Sequence, residues 1–244
     1  MKGSDYFMGA LEVVPSRSLN GLYIVLDILF LLFLAAVLLY TKRRQAFLAG
    51  LAGGVLYFLV DYGIFYQLLG TRTVTGADPF WFLLWLSMSY GFTNFVWIWV
   101  WLDRDKRLFE WSLLIVSGWM AEALAAQNFG GPFGEIAISR GTGSYHGVMA
   151  LILFVGYAIL ILHNLRTPEP EKRINIPWLL AIGILVQFSW EAVLLITGIR
   201  AQGFGPLIVD SLIETNLGMP YLYFIHRAAT RRYDEALHPV VREN

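Results

Sequence analysis

Long apolar runs separated by short polar joints recur seven times along the chain, at about 20–41, 46–69, 79–102, 108–128, 144–165, 176–199 and 205–226. Each run supplies the roughly 20 mostly apolar residues that a helix needs to cross a bilayer. The joints are too short to hold a second domain. Residues 1–244 therefore read as one integral membrane domain, an all-α, polytopic seven-transmembrane helix bundle. The stretch before Asn20 has no continuous apolar centre and is not expected to be a cleaved signal peptide.

Basic residues orient the bundle. Lys42, Arg43 and Arg44 follow the first span, Arg104, Lys106 and Arg107 the third, and Arg166, Lys172 and Arg173 the fifth, while Arg227, Arg231, Arg232 and Arg242 lie beyond the seventh. That face holds thirteen basic residues against five on the other: Lys2, Arg17, Arg72, Arg140 and Arg200. The positive-inside rule places the N-terminus outside and the C-terminus in the cytoplasm, in the plasma membrane if the chain is bacterial.

Composition agrees and excludes several activities. Of the residues 57% are hydrophobic and only 15% charged, with a formal net charge of zero. That balance gives no electrostatic footing for nucleic acid. The chain has no cysteine and four histidines, none paired at a metal-binding spacing, so no metal or other cofactor is expected. The short ends, Met1–Leu19 and Arg227–Asn244, show no recognisable chemistry, and the latter reads as a solvated tail.

The polar positions inside the apolar runs carry the chemistry. Asp61, Glu122 and Glu191 lie fourteen or fifteen residues into outward-running spans, and Asp27, Asp210 and Glu214 lie five to nine residues into inward-running ones. At about 1.5 Å per residue all six fall in the outer half of the membrane. No Lys or Arg lies at the same depth, though Arg72, Arg140 and Arg200 stand near the outer ends. Six acids without buried basic partners cannot all be ionised, so several are expected to carry protons near neutral pH. Such a layer can donate protons, relay them or bind a cation. The plainer alternative is a set of interhelical hydrogen bonds that orients the bundle, with Asp27 and Asp210 the most structural of the six.

Helical spacing puts Asp210, Glu214 and Gly218 on one face, Tyr57, Asp61 and Phe65 on another, and Gln187 with Glu191 on a third, beside Trp190. Aromatic faces of this kind attract cations, carbocations included. Trp97, Trp99 and Trp101 are expected to form an interfacial belt instead. A weak internal repeat is also visible. LVDYGIFYQLLGTR and FSWEAVLLITGIR each run from an acid to Gly-x-Arg, and the spans that follow each carry Thr-Asn. This aligns Asp61 with Glu191 and Asn94 with Asn216, in two parallel three-helix units joined by span four, a 3+1+3 plan.

These residues resemble the small seven-transmembrane terpene cyclases of meroterpenoid biosynthesis, in length, span count and acid placement across nearly the whole chain. Asp61 in LVDYGIFY stands where that family has an essential acid in span two. Glu214 in ETNLGMPYLYF matches a second acid in span seven, and WMAEALAAQNFGGP is similar to an acid-bearing segment of span four. The family usually has Glu in span two and Asp in span seven, the reverse of the order here. The resemblance implies acid-initiated cyclisation of a lipophilic prenylated small molecule taken from the bilayer. Asp61 and Glu214 would be the acid pair, Glu191 and Glu122 would support them, and Asn216 and Asn94 would orient them. A small-solute or cation transporter using the same acids is the alternative. An N-out seven-span receptor has topology alone in its favour, and a retinal protein would need a Lys in the last span, which has none.

Overall fold

A computed structural model describes residues 16–140, 145–200 and 204–237. Seven long helices follow the apolar runs: α1 (Gly21–Tyr40), α2 (Arg44–Phe58), α3 (Pro79–Leu102), α4 (Leu108–Phe129), α5 (Tyr145–Arg166), α6 (Ile176–Ile196) and α7 (Phe204–Leu237). At Leu59 α2 passes into a π-helical stretch that runs to Leu68. Six of these are long and apolar enough to cross a membrane. The seventh, α7, is not among them; Asp210, Glu214 and Asn216 interrupt its apolar run. The chain is thus a membrane-embedded helical bundle.

The joints set the helix ends. Asn20 caps α1 by accepting the Tyr23 N–H, Asp78 caps α3 by accepting those of Phe80 and Trp81, and Asn175 caps α6 by accepting that of Trp178. Pro79 opens α3 and Pro177 stands in the first turn of α6, where a missing N–H costs nothing.

The bundle is not wholly α. The segment before α1 and two joints at the same end form an antiparallel sheet of β1 (Ser16–Asn20), β2 (Arg72–Thr75) and β3 (Glu135–Arg140), in the order β1-β3-β2. Arg17 pairs with Ile138 and Val74 with the same residue from the other side, so Ile138 is wholly buried at the centre of the sheet. The expected all-α bundle stands as the architecture, with this small sheet added at one end. Extended joints bury their backbone hydrogen bonds in one another where the helices end.

α3 is the hub, with 83% of its apolar stretch buried against 11% for α5, and it packs on α1, α2, α4, α6 and α7. The α2–α3 contact is the closest. Gly50, Gly53 and Gly54 face Phe92, Phe95 and Met88, and a Cβ built at Gly91 would lie 2.8 Å from the Gly54 Cα. Small residues let membrane helices approach to backbone contact. Along α1 and α5, Leu29, Leu32, Phe33, Leu151 and Phe154 remain exposed, the faces that hydrocarbon would cover.

Two further expectations change. Trp97 and Trp99 are buried core residues, not belt residues: Trp97 donates to Ser112 Oγ at 2.8 Å and meets Trp119 edge-on. The stretch after Arg227 continues as the last turns of α7 to Leu237. The expectations for Met1–Pro15 and for 238–244 lie outside the described residues.

Candidate active site

The first acid centre sits where α2 widens into the π-helical stretch. A π-turn adds a residue per turn, a device that re-aims side chains and is frequent at functional sites. Asp61 lies there, 2% exposed. Its Oδ1 accepts from Arg72 Nη2 at 3.0 Å and Nε at 3.3 Å, and its Oδ2 accepts from the Tyr90 hydroxyl at 2.5 Å. Arg72 belongs to β2 and lays its guanidinium 4.3 Å from the Phe65 ring. Gly70, at φ +61°, makes the left-handed turn that brings β2 back over the helix end. Aromatic rings extend the site inward. Tyr57 lies 4.8 Å from Tyr90, and Tyr90 stacks on Trp190 of α6 at 6.4 Å.

Trp190 leads to the second centre. Glu191, 1% exposed, is gripped from both sides. Arg17 Nη2 from β1 lies 3.1 Å from Oε1, and Arg200 Nε lies 2.9 Å from Oε2. Arg200 Nη1 also reaches Asp210 Oδ2 at 3.2 Å. Gly198, at φ +75°, makes the turn before Arg200, so both Gly-x-Arg exits fold back onto an acid in the same way. Gln187 Nε2 donates to Glu214 Oε2 at 3.0 Å, while its carbonyl accepts from Thr215 Oγ1 at 2.8 Å. Carboxylate oxygens of Glu191, Asp210 and Glu214 all lie within 4.8 Å of one another. That spacing would suit a metal ion, but the Arg17 and Arg200 guanidiniums already bring positive charge to Glu191 and Asp210.

The third centre joins α1, α3 and α4. Asp27 accepts from Trp85 Nε1 and Ser89 Oγ, each at 2.7 Å, and its carboxyl meets that of Glu122.

The six acids are therefore not one ring without counter-charges. They divide into three groups, and arginines hold Asp61, Glu191 and Asp210. Helix depth misleads because it locates backbones. Arg17, Arg72 and Arg200 start near the sheet end, and their long side chains carry the charge down to the acids. Arg17 also corrects the expectation that the N-terminal segment carries no chemistry. Glu191 shares a centre with Glu214, as a supporting role requires, whereas Glu122 pairs with Asp27 and not with Asp61 or Glu214. The asparagines do not orient the acids either. Asn216 accepts from the Tyr157 hydroxyl at 3.0 Å and donates to the Leu212 carbonyl, and Asn94 Oδ1 has no hydrogen-bond partner among the described residues. Tyr90, Arg17, Trp85 and Ser89 are among the site residues that sequence reasoning missed. The Gly-x-Arg repeat was the signal for Arg72 and Arg200; nothing comparable marks Arg17.

Two cavities, of about 360 and 470 Å³, open at the opposite end of the bundle, lined by residues such as Arg104 and Trp178 or His163 and Arg166. Neither touches an acid of the three centres. Comparison with protein-family models, curated proteins and solved structures finds no match.

Proposed function

We propose that the chain is a membrane-embedded terpene cyclase, with its sheet outside, its C-terminus in the cytoplasm and α7 as a seventh span. One observation carries the reading: carboxyl groups in contrasting environments flank an aromatic wall. Asp61 is held by Arg72 and Tyr90, whereas Glu214 takes the Gln187 amide beside the Glu191 and Asp210 carboxyls, and Tyr57, Tyr90 and Trp190 stand between the two centres. Carboxyls in contrasting environments divide acid and base roles.

Glu214, as its neutral acid, protonates the terminal epoxide oxygen or alkene carbon of a prenylated substrate. Successive double bonds attack the resulting cation, and the aromatic faces stabilise the positive charge as it moves. The arginine-bound Asp61 carboxylate takes the last proton, so the product is an isomer of the substrate and the two acids exchange a proton overall. The sheet keeps water from the cation. The like-built Gly70–Arg72 and Gly198–Arg200 exits favour the 3+1+3 repeat, with Asp61 and Glu191 as its corresponding acids.

The test is conversion of prenylated and epoxyprenyl aromatic substrates by the purified protein in detergent. Cyclised product from the wild type, lost in Asp61→Asn and in Glu214→Gln with folding retained, is expected. Turnover surviving in both variants sinks the assignment. The Glu191–Asp210–Glu214 cluster also favours a second reading, a cation or proton-coupled carrier. Uptake of a labelled cation into proteoliposomes under a pH gradient, without conversion of any prenylated substrate, would establish that reading instead.

A further inference from the structure

Asp27 and Glu122 have no part in the cyclisation just described, yet they are among the most buried polar groups of the chain, 0% and 5% exposed. We propose that they form a binding site for one exchangeable proton, placed on Glu122 and shared with Asp27, and that Tyr23 is its route toward the sheet end.

Hydrogen-bond donors decide where the proton sits. Both Asp27 oxygens receive donors, from Trp85 and Ser89, an arrangement suited to the carboxylate form. Neither Glu122 oxygen receives an N–H or O–H from the described residues. Its polar contact is the Asp27 carboxyl, and two carboxyls make a hydrogen bond only when one carries a proton. Among the described residues neither acid has an ion pair with a Lys, Arg or His, in contrast to Asp61 and Glu191. An unpaired dianion at this burial would be prohibitively costly, and one proton removes half of its charge.

A second, independent feature points into the same place. The Tyr23 hydroxyl is buried, 2% exposed as a residue, with no hydrogen-bond partner among the described residues. Tyr23 precedes Asp27 by one helical turn on the same face of α1. It lies within electrostatic reach of Asp27, Glu122 and Arg17. Arg17 belongs to the Glu191 centre. A phenol that can both donate and accept, within reach of a carboxyl pair and of an arginine from that centre, is the part a proton path needs.

Infrared difference spectroscopy on the reconstituted full-length protein tests this. At about pH 7, roughly three units above the ordinary carboxyl range, a protonated-carboxyl C=O band is expected. The component due to this site disappears in Glu122→Gln, shifts but persists in Asp27→Asn, and remains in Glu214→Gln, which removes only the component of the neutral cyclisation acid. The last arm separates this site from the cyclisation acid, so either proposal can fail alone. Should Glu122→Gln fold poorly, wild-type protein with ¹³C-labelled Glu carboxyls gives the same readout by NMR. Absence of the band, or its loss on adding sodium without a pH change, overturns the proton assignment, the second outcome marking a cation site. Tyr23→Phe should keep the band and slow its hydrogen–deuterium exchange on the order of a hundredfold, the low end for a positioned proton-transfer group. An unchanged rate removes Tyr23 from the path.

Discussion

The Tyr90 hydroxyl donates to Asp61 Oδ2 in a 2.5 Å hydrogen bond while the arginine of β2 covers the other oxygen. Two donors of different kinds, one from the hub helix and one from the sheet, therefore fix one carboxylate at the widened turn of α2. Tyr90→Phe removes one of them and leaves the ring stack on Trp190. It should cost about 1.5–3 kcal/mol, the usual worth of a hydrogen bond to a charged group. Thermal unfolding in detergent reads the loss, and a variant as stable as the wild type would show that the bond contributes nothing.

Removing the other donor should be worse. Arg72→Ala strands a buried carboxylate, and breaking a buried ion pair from one side costs about 3–5 kcal/mol. Asp61→Asn combined with Arg72→Ala should recover part of that, because no lone charge remains. A double-mutant cycle on unfolding midpoints checks the prediction; additive losses would mean that the two side chains do not interact in the membrane.

Gly91→Val tests the α2–α3 seam. Even a single Cβ at residue 91 would press on the backbone of Gly53 and Gly54 at 2.8–3.0 Å, where no side chain can swing aside. A destabilisation of about 1–3 kcal/mol or more is expected, as for overpacked cores. Gly63→Ala, which meets nothing within 4 Å, is the control and should change stability far less.

At the far end, Arg43 Nε and Nη2 grip the two oxygens of Asp105 at 2.6 and 2.8 Å. This hydrogen bonding holds the Asp105 carboxyl below its usual value of 3.8. A carboxyl depressed by folding contributes stability that is fully present above the unfolded value. That stability is lost as pH falls through the folded one. Asp105→Asn should therefore lower stability at neutral pH and flatten its decline below about pH 4. Identical acid limbs in mutant and wild type would contradict the ion pair.

Much of the helical frame was legible because bilayer thickness fixes run length: every expected span begins within a few residues of a helix. The departures have physical causes. The sheet hides because its strands are only four to six residues long, although the alternation of Ile136 and Ile138 in EIAISR is a strand signal. The acids were located correctly in chain order but not in company. Residue depth along a helix says nothing about a guanidinium several bonds from its Cα, and nothing about which neighbour a helix turns toward. Spacing put Asp210 beside Glu214, one turn apart; the Asp27–Glu122 contact joins helices far apart in sequence and left no local trace.

The middle strand β3 pairs on one edge with the strand bearing Arg17 and on the other with the strand bearing Arg72. One strand thus acts as a yoke for both clamps. A protease nick, an antibody or a glycan that prises β3 loose would slacken the grip on Glu191 and Asp61 at the same time. Two remote acids would then respond together to a single event at the surface.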